Sequence, residues 1–175
     1  KMPQKMLLIA VIFLIPIAYL LIVFERNLNA QVEFSQLELE GVQQIAPVRK
    51  MIQNMQAHRG VSQLALAGNA GAKAKLAELR ANIKNAIEEV DKIDGQIGAK
   101  LNTRQEWSKL KSDWRGLEGR ADTLSPPDSL KAHTEVIVAA QDFAILTADR
   151  ANMTLDPDIE TYYLVDAFAT KIVRM

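Results

Sequence analysis

Two short stretches carry the residue types that could do chemistry. "QAHRGVSQLALAGN", residues 56–69, places His58, Arg59, Gly60 and Ser62 within a run of helical apolar spacing. An arginine there could clamp a carboxylate or other anion through two parallel N–H bonds. The neighbouring imidazole could orient it or respond to pH, and the glycine would let a second helix or a ligand come close. The plainer account is a helix crossing from buried to exposed register, with Arg59 in solvent.

"TADRANMTLDPDIETYYLVD", residues 147–166, supplies Asp149, Arg150, Asn152, Asp156, Asp158, Tyr162, Tyr163 and Asp166. Asp156-Pro157-Asp158 has the grammar of a helix start: an aspartate cap, proline at the first helical position, and acids near the positive helix end. Proline also pushes the residue before it out of helical dihedrals. One helix is therefore expected to end near Leu155 and another to begin at Pro157, and so short a junction favours a kink over a full reversal. A kink frees backbone groups, and a tyrosine offers a flat face and a hydroxyl. A small organic ligand could use both. The competing account makes Asp149–Arg150 a surface pair, Asp156 a cap, and one tyrosine core, since adjacent helical residues lie about 100° apart.

Other chemistries find little support. His58 and His133 are too few and too isolated in sequence for a metal cluster. With no cysteine there is no thiolate ligand or nucleophile, and no disulfide to stabilise an exported chain. Trp107 and Trp114 share one stripe and read as core. No Ser/His/Asp arrangement, phosphate loop or catalytic carboxylate pair can be argued, so neither an enzyme nor a cofactor is expected. Lysines plus arginines and aspartates plus glutamates balance at 21 each, so no overall field favours nucleic acid.

The elements that must position these residues are helical. Met6 to Phe24 has no charge, and a helix of that length spans roughly 28 Å, close to a bilayer's hydrocarbon thickness. Lys1 and Lys5 precede it, while Glu25 and Arg26 cancel after it, so residues 1–5 are expected in the cytoplasm and residues 25–175 outside. The alternative is a cleaved signal peptide with "NLNA" as its cutting site, but the apolar core is long for one and a charged pair precedes the cut.

Beyond the anchor, Ile45, Val48, Ile52 and Met55 form one apolar seam. Leu76, Leu79, Ile83, Ala86, Val90, Ile93 and Ile97 form a second; Trp107, Leu110, Trp114, Leu117, Ala121 and Leu124 form a third. Spacings of three and four put each set on one stripe that must be buried against a neighbour. "AGNAG", residues 67–71, suits a helix end and tight reversal, and "LSPPDS", residues 124–129, stops one helix and restarts another. The stretch between them is expected to be one long helix, with a bend near Gly95 to Gly98. The fold class is all-α: a transmembrane helix continuing into an elongated antiparallel helical bundle, with a kink at Asp156-Pro157. Length matching suggests three rods, with a four-helix bundle turning at Asp156 as the competing topology. The chain begins with Lys and stops at "ATKIVRM", so a return helix and a second span are expected beyond Met175.

"FSQLELEGVQQIAPVRKMIQNMQAHRGVSQLALAGN" with the later "ANMTLDPDIETYYLVDAF" resembles the extracytoplasmic sensor regions of bacterial transmembrane signal transducers. These include methyl-accepting chemotaxis proteins, membrane histidine kinases and cyclic-dinucleotide signalling proteins. The resemblance covers residues 34–69 and about 148–168, plus the anchor. It implies a periplasmic helical sensor that passes helix shifts to the membrane, and a parallel homodimer joined through the exported heptads. It also implies a small organic ligand or a periplasmic binding protein as partner. The motif positions carried over are His58, Arg59, Asn152, Asp156, Asp158, Tyr162 and Tyr163. The alternative is a structural or partner-binding membrane protein with no small-molecule ligand.

Overall fold

A computed structural model of the chain describes residues 2–153, except the side chains of residues 3, 4 and 6–10. These residues form four helices: α1 (Met2–Leu66), α2 (Ala70–Ile97), α3 (Arg104–Glu118) and α4 (Pro126–Arg150). There is no strand among the described residues. The Asp156-Pro157 junction lies outside them, as do Asp158, Tyr162 and Tyr163.

Residues 1–37 form one compact unit. Its helix presents Ile12, Phe13, Leu14, Ile15, Leu20 and Phe24 to the exterior, and α1 is long and apolar enough to cross a membrane. So many large apolar side chains without a protein partner would be costly in water, and they suit a lipid surround.

The second unit begins at Glu38, and its described part is a bundle. Cross-helix pairs fix its topology. From α1 to α2, Gln44 reaches Asp94, Lys50 reaches Glu89 and His58 meets Arg80, so partner numbers fall as α1 numbers rise. From α2 to α3, Gly95 pairs with Arg104 and Asp91 with Trp107. From α3 to α4, Glu106 pairs with Arg150, and from α4 back to α1, His133 meets His58 while Pro126 meets Gln63. Every neighbouring pair is antiparallel, so the four helices run up and down around one core.

The three seams expected from spacing line that core. Ile45, Val48, Ile52 and Met55 are buried, as are Leu76, Leu79, Ile83, Ala86, Val90 and Ile97; of the second seam only Ile93 is partly exposed. Trp107, Leu110, Trp114 and Leu117 close the third side, and Phe143 packs on Trp107 with ring centroids 5.4 Å apart. Because the first seam is consumed inside the bundle, it is not available to join a second copy.

The single long helix expected between the glycine turn and the double proline is two helices. α2 closes at Gly98, and Asn102 takes a left-handed φ of 53°. Leu101 turns inward to 2 % exposure. Thr103 precedes α3 without a side-chain cap bond, and its hydroxyl donates to Asp94 at 3.0 Å. Gln44 donates to the same carboxylate at 3.2 Å. A reversal here lets the second and third seams face each other, which buries more apolar surface than a bend would.

Helix ends follow their local chemistry. Beyond α1, Gly68 has φ 89°, Asn69 N–H bonds Leu64 O and Gly68 N–H bonds Ala65 O, both at 3.0 Å. This is the paired pattern in which a left-handed residue closes a helix. Asn69 then caps α2 by accepting from Gly71 N–H at 3.0 Å, and Ser125 caps α4 with Pro126 at its start.

Candidate functional site

The expected site residues that are described, His58, Arg59 and Asn152, divide among separate places. His58 is fully buried at mid-bundle. Arg59, one position on, points to a partly exposed face and donates from Nη1 to Thr134 Oγ1 at 3.2 Å. Gly60 is exposed, and a Cβ there would meet nothing within 4 Å, so no close approach explains it. Asn152 lies 19 residues beyond His133, roughly 28 Å along the α4 direction. His58 and Asn152 are not brought together.

Asn152 has a conformational role of its own. Its φ is 59°, its N–H bonds Asp149 O at 3.2 Å, and Met153 N–H bonds Ala148 O at 3.0 Å. The same closing motif therefore ends α4 at Arg150, several residues before the end expected near Leu155. Arg150 is not simply paired with Asp149 at the surface; its Nη2 reaches Glu106 at 3.1 Å. Asn152→Gly is expected to leave stability within a few tenths of a kcal/mol, while Asn152→Ala costs about 1 kcal/mol, because only glycine and asparagine adopt this φ readily. Urea midpoints of the two variants check this.

What the fold assembles around His58 was not legible in its stretch alone. His58 Nδ1 lies 2.9 Å from His133 Nε2, across from α1 to α4. His133 Nδ1 lies 2.7 Å from Ser129 O, and a carbonyl can only accept, so that nitrogen carries the proton. In the neutral ring Nε2 is then an acceptor, and His58 Nδ1–H must donate to it. His58 Nε2 is left bare and accepts from Arg80 Nε at 3.3 Å. Arg80 Nη2 in turn donates to Asp122 Oδ1 at 2.7 Å. The result is a directed chain, Asp122–Arg80–His58–His133–Ser129, in which every proton has one assignment and which ties α1, α2 and α4 to the turn after α3. Trp114 of α3 sets its ring edge-on to His58, centroids 5.4 Å apart.

Both imidazoles are held neutral. Burial comes first, then the repulsion that protonating both rings would create, then the charge of Arg80; together they lower the His58 pKa to about 4, with Asp122 pulling the other way. Burial also lowers His133, against the hydrogen bond to Ser129 O, and Arg59 and Arg80 add to the lowering. Ser62 Oγ stands 3.3 Å from His58 Nδ1 but is itself only 3 % exposed. The imidazole nitrogen that could act as a base is already occupied by Arg80, so the arrangement orders helices and holds Arg80 in place. It does not present a nucleophile.

The signal for this chain was present but indirect. His58 and Ser62 on α1, and Ser129 and His133 on α4, are each four residues apart, so each pair shares a helical face. Arg80 and Asp122 carried no local mark. Compared with family models, curated proteins and solved structures, the chain matches none.

Proposed function

We propose that the chain is a membrane-anchored, non-enzymatic sensing region of a bacterial signal transducer, of chemoreceptor or sensor-kinase type. The reading places its N-terminus in the cytoplasm and its bundle in the periplasm. The observation that carries it is that a single helix, Met2–Leu66, contains both the exposed apolar segment and one wall of the bundle core. A ligand that favours one arrangement of α1 against α4 can then bias a helix that enters the membrane, by no more than its difference in affinity for the two arrangements. The buried polar chain supports this reading, since its hydrogen bonds have direction and discrete partners and so favour distinct arrangements over a continuum.

The chain contains no cysteine, so single introduced thiols report topology directly. In spheroplasts of cells making the full chain, Ser112→Cys, on an exposed position of α3, is expected to react with a membrane-impermeant maleimide. Lys5→Cys is expected to react only after lysis. The reverse pattern, or release of the chain from membranes by alkaline carbonate, would end the periplasmic receptor reading.

A further inference from the structure

A cavity of about 330 Å³ opens between the end of α1, the first turns of α2 and the turn after α3. Ser62, Leu66, Lys73, Leu76, Arg80 and Asp122 line it. Lys73 and Arg80 stand seven residues apart on one face of α2, which separates them by about 10.5 Å along the helix. No acidic residue occupies the first turn of α2, so the positive helix end adds to Lys73, which stands beside it. Asp122 is the one carboxylate at the wall among the described residues.

The guanidinium of Arg80 is gripped unequally. Behind it is the buried His58, whose Nε2 accepts from Arg80 Nε. In front is Asp122, whose side chain is 65 % exposed. The chain thus fills a carboxylate position with a group that solvent can replace, while the arginine itself stays oriented. Leu66 and Leu76 offer hydrocarbon wall to whatever lies between the cations.

We propose that this cavity binds a small dicarboxylate, one carboxylate displacing Asp122 from Arg80 and the other pairing with Lys73. Two carboxylates joined by three methylenes stand about 5 Å apart across four carbon–carbon bonds. With the carboxylate C–O bonds and a charge-assisted hydrogen bond of about 2.8 Å at each end, such a molecule bridges nitrogens up to roughly 12 Å apart. The flexible lysine stem can adjust to that span from its place seven residues before the arginine. The methylenes lie along Leu76. Displacement of Asp122 detaches the turn after α3 from α2, and because Arg80 also donates to His58, the event bears on the polar chain across the bundle. That consequence rests on the sensing reading; the binding does not.

The test is calorimetric titration of the full chain, in nonionic detergent, with glutarate, butyrate and inorganic phosphate. Glutarate is expected to bind at one saturable site, with butyrate and phosphate each weaker by about tenfold or more, the worth of one lost charge-assisted hydrogen bond. Lys73→Ala, at an exposed position, should bring glutarate down to the affinity of butyrate. Asp122→Asn should strengthen glutarate severalfold by removing the internal competitor. Arg80→Lys should weaken both organic acids, with circular dichroism confirming the helices. Absence of saturable glutarate binding, phosphate binding as tight as glutarate, or indifference to Lys73→Ala and Asp122→Asn would each overturn the proposal. A cytoplasmic location of the Ser112→Cys thiol would remove the receptor reading and leave glutarate binding standing.

Discussion

Lowering the pH from about 7.5 to about 5 is expected to cost the bundle about 2 kcal/mol of unfolding free energy through His58 alone. The folded-state pKa of about 4 lies below the ordinary imidazole value of 6.5. Above the unfolded value neither state binds the proton, and the full stability is present. Below it the unfolded chain takes up a proton that the folded chain refuses, so stability falls with each unit until the folded pKa is reached. Each unit is worth about 1.4 kcal/mol, and the interval from 6.5 down to 5 gives the figure above. His133 is shifted in the same direction and steepens the fall. Arg80, Arg59 and Asp122 are the charged groups whose fields reach the pair. Urea unfolding of the full chain in detergent at the two pH values measures the effect. The double variant His58→Gln, His133→Gln should flatten it; an unchanged slope in that variant would assign the acid sensitivity to other groups.

Trp107→Ala is expected to cost about 3–5 kcal/mol, the range for emptying a large aromatic site. Trp107 is 1 % exposed, stacks against Phe143 and donates from Nε1 to Asp91 at 2.7 Å. Burial disfavours the charge on Asp91, but hydrogen bonds from Lys111 and Trp107 and the charges of Lys111 and Arg115 outweigh it and hold the carboxyl below its usual range. Removing the indole therefore opens a void where α3 meets α4 and strips one partner from the carboxylate. Trp107→Phe keeps most of the volume and leaves Lys111 on Asp91, so it should cost only about 1–2 kcal/mol. Denaturant midpoints at constant slope distinguish the two. Equal losses would mean that the hydrogen bond, rather than the packing, dominates at this position.

Local rules were enough to write much of this fold from the amino-acid order. The charge-free stretch from Met6 to Phe24, the three apolar seams, the glycine–asparagine reversal at residues 67–71 and the proline-led start of α4 all depend on neighbours within one or two helical turns. Side-chain periodicity, capping and dihedral preference act over that distance, so residue types alone determine them. The first stretch singled out did contain a residue of the polar chain, His58, expected there as an orienting or pH-responsive partner of Arg59; in the fold the arginine it meets is Arg80.

Tertiary structure decided what local rules leave balanced. Gly95 and Gly98 permit either a bend or a reversal, and the choice went to the reversal at Gly98 because the two halves of the expected rod bury their seams against each other. α4 ended at Arg150 because a left-handed residue at Asn152 turns the chain so that its last carbonyls are bonded. His58 found His133 from 75 residues away, and Arg80 and Asp122 became functional candidates only once the helices were laid side by side. A hydrogen bond between distant residues has no signature in either one's surroundings along the chain; the one between His58 and His133 forms because burial cuts both rings off from water and leaves only protein groups as partners.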